Sequence, residues 1–252
     1  MPLPMLADFS LRLACGLAVL LLLTPWRQVP PAFFRTHCLV ILGLIVLAGL
    51  DAARLGAPGS WVGSVVAAGV LSYAAAVAWG VGLPRLGVPL TALAATFSAA
   101  VLVIASRSTT PWAWALNGSG RLASAFLMGS TLTAMLLGHH YLTAPAMSIE
   151  PLKRFVRCMG FGLAARAALA AVGLWAWTWW GANAPSTASP LFFAMRWGMG
   201  LAGPAVATYM THETVRIRST QSATGILYIA MTLVLFGELT AMVLTKETGV
   251  LF

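Results

Sequence analysis

Residues 122–157, LASAFLMGSTLTAMLLGHHYLTAPAMSIEPLKRFVR, decide the fold. Their first part, Leu122 to Tyr141, is uncharged and apolar and carries two adjacent histidines, His139 and His140, near its end. A short turn with Pro145 and Pro151 follows, and Lys153, Arg154 and Arg157 open the next apolar segment. An uncharged run of about 20 residues is what a helix needs to cross the ~30 Å hydrocarbon layer at ~1.5 Å per residue. A basic turn beside such a run is the mark of a loop held on the cytoplasmic side. The stretch therefore predicts two membrane-spanning helices and the basic connection between them.

The same texture extends through all 252 residues. Hydrophobic residues make up 60% and charged residues 8%, with a mean hydropathy of +0.87. A soluble domain carries about 25% charged residues, so this chain cannot build a soluble surface. Barrel strands would alternate in polarity over about ten residues, and no such alternation is present in the sequence. The expected fold class is all-α: a polytopic membrane protein, a bundle of eight transmembrane helices with short loops, forming a single integral-membrane domain over 1–252. The spans are expected at about 10–25, 33–50, 61–81, 89–105, 122–141, 154–180, 191–214 and 222–244. The first reads as a span and not a signal peptide, because it lacks a basic leader and a small-x-small cleavage site. The longest connection is expected at Ser106–Arg121, with Trp112 and Trp114 as interfacial anchors, and an uncharged loop at Gly181–Pro190.

The net charge of +9 reflects basic residues gathered at loops for topology, with no basic stripe of the kind that binds nucleic acid. Arg27, Arg35, Arg85, Lys153, Arg154, Arg157, Arg216 and Arg218 flank one set of loops; Arg12, Arg54, Arg107, Arg121 and Lys246 flank the other. Eight against five places the first set in the cytoplasm and both termini outside, as in a bacterial inner-membrane protein. The three cysteines, Cys15, Cys38 and Cys158, are scattered over separate apolar segments without CxxC spacing. They read as packing residues, neither a disulfide framework nor a c-type haem attachment. No Walker A, paired DxxD, HExxH or HxxHH pattern occurs, which removes support for phosphotransfer, zinc proteolysis and desaturation.

The polar residues inside and at the ends of the spans carry the functional reading. His37 lies about one turn inside the second span, His139 and His140 end the fifth, and His212 ends the seventh. All four thus belong to one membrane face, with Tyr141, Glu150 and Glu213 in the same layer. Histidine both donates and accepts near neutral pH, which suits the carbonyls of a quinone head group, and Glu150 or Glu213 could pass its proton to water. The competing explanation is that these histidines face lipid headgroups or cap helix C-termini, where a cation is favoured. Axial b-haem ligation ranks below quinone binding, since the usual fixed intrahelical histidine pairs are missing. No metal site and no catalytic residue is assigned. Nearer the other face, Arg196 and Glu238 fall at a common depth of about 24–26 Å and could pair across adjacent helices. Arg166 sits mid-span with no evident partner, and a charge there is costly and a functional candidate.

The leading expectation is an integral-membrane subunit of a respiratory or electron-transfer complex. It is more an accessory subunit than a stand-alone enzyme, with a quinone site formed by His37, His139, His140, His212 and Tyr141. Its expected partners are membrane lipid and other membrane or redox subunits. Two alternatives remain: a small proton- or ion-coupled transporter using Arg166, Arg196 and Glu238, and a purely structural assembly subunit.

Overall fold

A computed structural model describes residues 3–56, 59–108, 110–143, 147–180, 190–249 and 251–252, and they are helical almost throughout. Residues 181–189 of the expected uncharged loop, Pro145 and the Ala57-Pro58 part of a Gly/Pro turn lie outside the described residues. The helices are α1 (Met5–Leu23), α2 (Pro31–Arg54), α3 (Gly59–Gly80), α4 (Pro84–Ile104), α5 (Pro111–Thr143) and α6 (Glu150–Trp180). They are followed by α7 (Pro190–Trp197), a π-turn (Gly198–Ala202), α8 (Gly203–Arg216) and α9 (Thr220–Thr248). Among the described residues seven helices are long and apolar enough to cross a membrane: α1 to α6 and α9. The protein is an all-α membrane bundle. Leu50, Val70, Phe161, Trp179, Tyr209 and Ile229 all point outward and are exposed. Such surface belongs in lipid, since soluble monomers rarely expose extended apolar area.

Three boundaries differ from the sequence expectation, each for a local reason. The seventh expected span is helical from Pro190 to Arg216 but in three pieces. Pro204 has no N–H for the regular ladder, and the chain widens just before it: the Gly203 N–H bonds to the Gly198 carbonyl, five residues back. The expected loop Ser106–Arg121 is helical from Pro111 onward. Its side chains cover the end of α4: Trp114 Nε1 donates to the Val103 carbonyl at 2.8 Å and Arg121 Nη1 to the Leu102 carbonyl at 3.2 Å. These donors join Ser106, whose hydroxyl and main-chain N–H already bond to the same two last-turn carbonyls. Lastly, α6 starts at Glu150 and not near 154, with Pro151 in its first turn, where a missing N–H costs nothing.

The chain divides into two compact units, residues 1–133 and 134–252, with the boundary inside α5. In the first unit α1 packs against α2 and α4, α2 against α3, and α3 against α4. The 111–133 part of α5 also meets α1. A Cβ built at Gly16 would run into the Ala125 carbonyl, and one at Gly129 into the Gly16 backbone. This is the small-residue crossing that brings membrane helices into backbone contact, and it leaves α1 the most enclosed span. Hydroxyls in the apolar layer bond to their own helix four residues back, as Ser72 does to Ala68, Thr91 to Gly87 and Ser98 to Ala94. That satisfies them where no water is present.

In the second unit α9 packs along α7, the π-turn and α8, while α6 packs against α8. Two backbones touch here as well: a Cβ at Gly237 would overlap the Gly200 backbone. Gly249, at φ +70°, ends α9 in the left-handed conformation that glycine adopts without cost. The chain then brings Phe252 into a cluster with Phe193 at 5.3 Å and Trp177 at 6.4 Å between ring centres.

Candidate functional site

The most strongly built polar centre lies in the second unit. Arg166 of α6, Arg196 of α7 and Glu238 of α9 meet with side chains 1%, 0% and 1% exposed. Arg166 Nε donates to both Glu238 oxygens at 3.0 and 3.2 Å, and its Nη2 donates to the Phe252 main-chain oxygen at 2.8 Å. Arg196 Nη1 donates to Glu238 Oε1 at 3.1 Å and to the Gly237 carbonyl at 3.5 Å. The depth argument from sequence brings Arg196 and Glu238 together; the structure adds Arg166. The earlier start of α6, by four residues, lifts Arg166 by about 6 Å along the axis, toward the level of the other two. The π-turn begins two residues after Arg196, and the Gly200–Gly237 contact lies beside it. Without a Cβ at Gly200 the guanidinium has room; one there would be 3.2 Å from Arg196 Nη1. Two guanidiniums thus share one carboxylate out of water. Arg166 Nη1 is buried without a hydrogen-bond partner among the described residues.

The histidine-bearing end of α5 meets the start of α9. A Cβ at Gly138 would lie 2.9 Å from Thr224 Oγ1 and 3.3 Å from Leu227, so glycine sets the close approach. The next residue uses it: His139 Nδ1 is 3.4 Å from the Tyr228 hydroxyl. Both side chains are exposed, Tyr228 by 46% and the adjacent Ile229 by 61%. His140 is half-buried, as expected for neighbours ~100° apart on a helix. Tyr141 is buried and donates its hydroxyl to the Ser148 carbonyl, which ties the turn to the helix end.

His212, Glu150 and Glu213 belong to a third place. An open groove of about 270 Å³ is lined by Lys153, Val156 and Arg157 of α6 and by His212, Val215 and Arg216 of α8. Glu213 lies 3.4 Å from His212 Nδ1 and 3.3 Å from Arg216 Nη1, and Glu150 accepts from Lys153 at 2.8 Å. His139 and His212 therefore have different partners. His37, in the first unit, is buried. Its Nδ1 is 2.7 Å from the Phe33 carbonyl, and its ring lies 3.9 Å from that of Phe33. A carbonyl only accepts, so Nδ1 carries the proton.

Sequence reading missed three groups. Tyr228 partners His139. Phe252 meets Arg166. In the first unit Asp8 receives Arg12 Nε at 3.1 Å and Nη2 at 2.7 Å, with Arg121 at 3.5 Å. The Asp8–Arg12 pair was legible, since residues four apart share a helix face. Arg121 was not, having been read as part of a loop. Among the described residues no group of three or more His, Cys, Asp or Glu side chains is placed to hold a metal ion.

Compared with known proteins, the chain matches no family model, no curated sequence and no solved structure.

Proposed function

We propose that this chain is an integral-membrane subunit of a respiratory or electron-transfer assembly, seated in a bacterial inner membrane with both termini outside. Its ligand is a quinone whose head group docks at His139 and Tyr228. One observation carries the reading: an imidazole and a phenol from two helices within hydrogen-bond distance on an exposed, apolar surface. Quinones travel in the lipid phase, so a site opening to lipid is reachable without a channel. Phenol and imidazole N–H both donate to a carbonyl, and imidazole also moves a proton near neutral pH. Two electrons from a redox partner and two protons, one per carbonyl oxygen, convert quinone to quinol. The chain's part is to orient the head group and supply the proton path.

The test is quinone content. The protein is purified from membranes in mild detergent and its extracted quinone measured. The wild type is expected to hold about one quinone per chain, with His139→Ala and Tyr228→Phe each lowering retention about tenfold, the loss of one hydrogen bond of about 1.4 kcal/mol. A quinone-free wild type, or retention in both variants equal to that of the wild type, rejects the site.

A different observation favours a second reading, proton- or ion-coupled transport. The Arg166–Glu238–Arg196 centre sits beside a π-turn, an irregularity often found at functional sites. With the three side chains sealed from water, a relay through Glu238 requires the π-turn to open. Proton- or sodium-driven solute uptake into proteoliposomes, abolished by Glu238→Gln and kept by His139→Ala, would select this reading over the first.

A further inference from the structure

The groove between the start of α6 and the end of α8 is a second place where the chain's chemistry converges, and neither reading above uses it. We infer that it binds the phosphate group of an anionic phospholipid. Four cationic or protonatable side chains from two helices line it: Lys153 and Arg157 from α6, His212 and Arg216 from α8. The carboxylates nearest them do not neutralise the set. Glu150 takes Lys153, and Glu213 is shared between His212 and Arg216. Arg157 makes no ion pair among the described residues; its only hydrogen bond runs from Nε to the Lys153 carbonyl on its own helix, at 3.4 Å. Both terminal nitrogens of Arg157 are therefore without a hydrogen-bond partner among the described residues. A planar guanidinium with two parallel N–H groups is suited to a phosphate's oxygens.

The floor of the groove distinguishes a lipid from a free ion. Val156 and Val215 also line it and are buried, while Arg157, His212 and Arg216 are exposed, so the lining is polar at its rim and apolar beneath. A phosphodiester with acyl chains presents the same order: an anion at the headgroup level and hydrocarbon below it. The groove also adjoins the N-terminal turn of α6, where the helix dipole adds positive field at the same spot. Basic pockets between membrane helices bind anionic headgroups in this way.

The experiment compares two lipid arms and one ion arm, using the full chain in nanodiscs. The lipid arms are phosphatidylglycerol in a phosphatidylcholine background, and phosphatidylcholine alone; the third arm adds inorganic phosphate to the phosphatidylcholine discs. Retained phosphatidylglycerol is counted by mass spectrometry after detergent extraction. Phosphatidylglycerol is expected to be retained over phosphatidylcholine, and Arg157→Gln with Arg216→Gln to reduce that preference about 25-fold, at about fivefold per surface cation. Both positions are exposed, so the fold should survive. Arg107→Gln, the loss of one exposed charge in the first unit, is expected to leave the preference unchanged. Phosphate binding in the third arm, lost in the same double variant and without lipid preference, would overturn the lipid and identify a free phosphate as the occupant. Equal lipid retention in wild type and double variant, an equal effect of Arg107→Gln, or binding in no arm would overturn the site itself.

Discussion

Glu238→Gln is expected to destabilise the protein by about 3–5 kcal/mol, the cost of breaking a buried charge pair from one side. The carboxylate accepts from Arg166 at 3.0 and 3.2 Å and from Arg196 at 3.1 Å. Glutamine fills the same volume but removes the negative charge, leaving two guanidiniums with no counter-charge from Glu238 in a helix interior. Unpaired charges there are among the most costly groups a membrane protein can hold. Thermal unfolding in detergent, followed by circular dichroism, reads the loss directly. The companion variant separates charge from packing. Replacing all three residues together, Arg166→Met, Arg196→Met and Glu238→Leu, removes the desolvation cost along with the attraction. Such replacements of buried ion clusters are commonly neutral or stabilising by about 1–4 kcal/mol. A Glu238→Gln protein within about 1 kcal/mol of wild type would mean that water or another anion already reaches the centre. The view that this centre holds α6, α7 and α9 together would then be wrong. The triple variant bears on function too: a folded triple variant that keeps its quinone leaves transport without support.

The second large effect is expected at the α1–α5 crossing. Gly16→Ala should cost about 1–3 kcal/mol, the usual range for forcing extra volume into a packed contact. The neighbour it meets is the Ala125 main-chain carbonyl, with the Gly129 Cα close behind. Backbone cannot rotate aside as a side chain does, so the helices themselves must separate. Gly43→Ala supplies the control with the opposite sign. That glycine, inside α2, has nothing within 4 Å of the added Cβ. Alanine there should stabilise by up to about 1 kcal/mol through the lower conformational entropy of the unfolded chain and better helix propensity. A scan in which both substitutions move the unfolding midpoint the same way would show that the Gly16 contact is looser than its geometry.

Much of this architecture was legible because the information is local. An apolar run of the right length is a helix in a bilayer, whatever it packs against. The run Leu122–Tyr141 was readable as a span for that reason, although its helix extends back to Pro111. The extension was hidden because residues 106–121 are polar and rich in Trp, Gly and Ser, and that composition reads as loop. The helix forms there because Trp114 and Arg121 reach back to the carbonyls of α4, a gain that propensity does not contain. The π-turn had a partial signal in Gly198, Gly200 and Gly203-Pro204, readable as a kink without its exact form. Of the candidate site, the depth match between Arg196 and Glu238 was available from residue counting. The His139–Tyr228 pair was not, since it depends on which face of α9 turns toward α5.

The amino-acid sequence by itself determined that the protein is a helical membrane bundle, roughly where its helices run, and that charged groups would be placed deep inside them. Hydrocarbon accepts only long apolar helices whose backbone groups are bonded internally, and that requirement is written residue by residue along the chain. The tertiary structure alone decided which charges meet. Arg166 finds Glu238 72 residues away, and Arg121 finds Asp8 from the far end of the first unit. Those meetings depend on helix rotation and spacing, set where Gly16 meets Gly129 and Gly200 meets Gly237. No single helix encodes its own rotation against a neighbour; that is a property of two surfaces in contact.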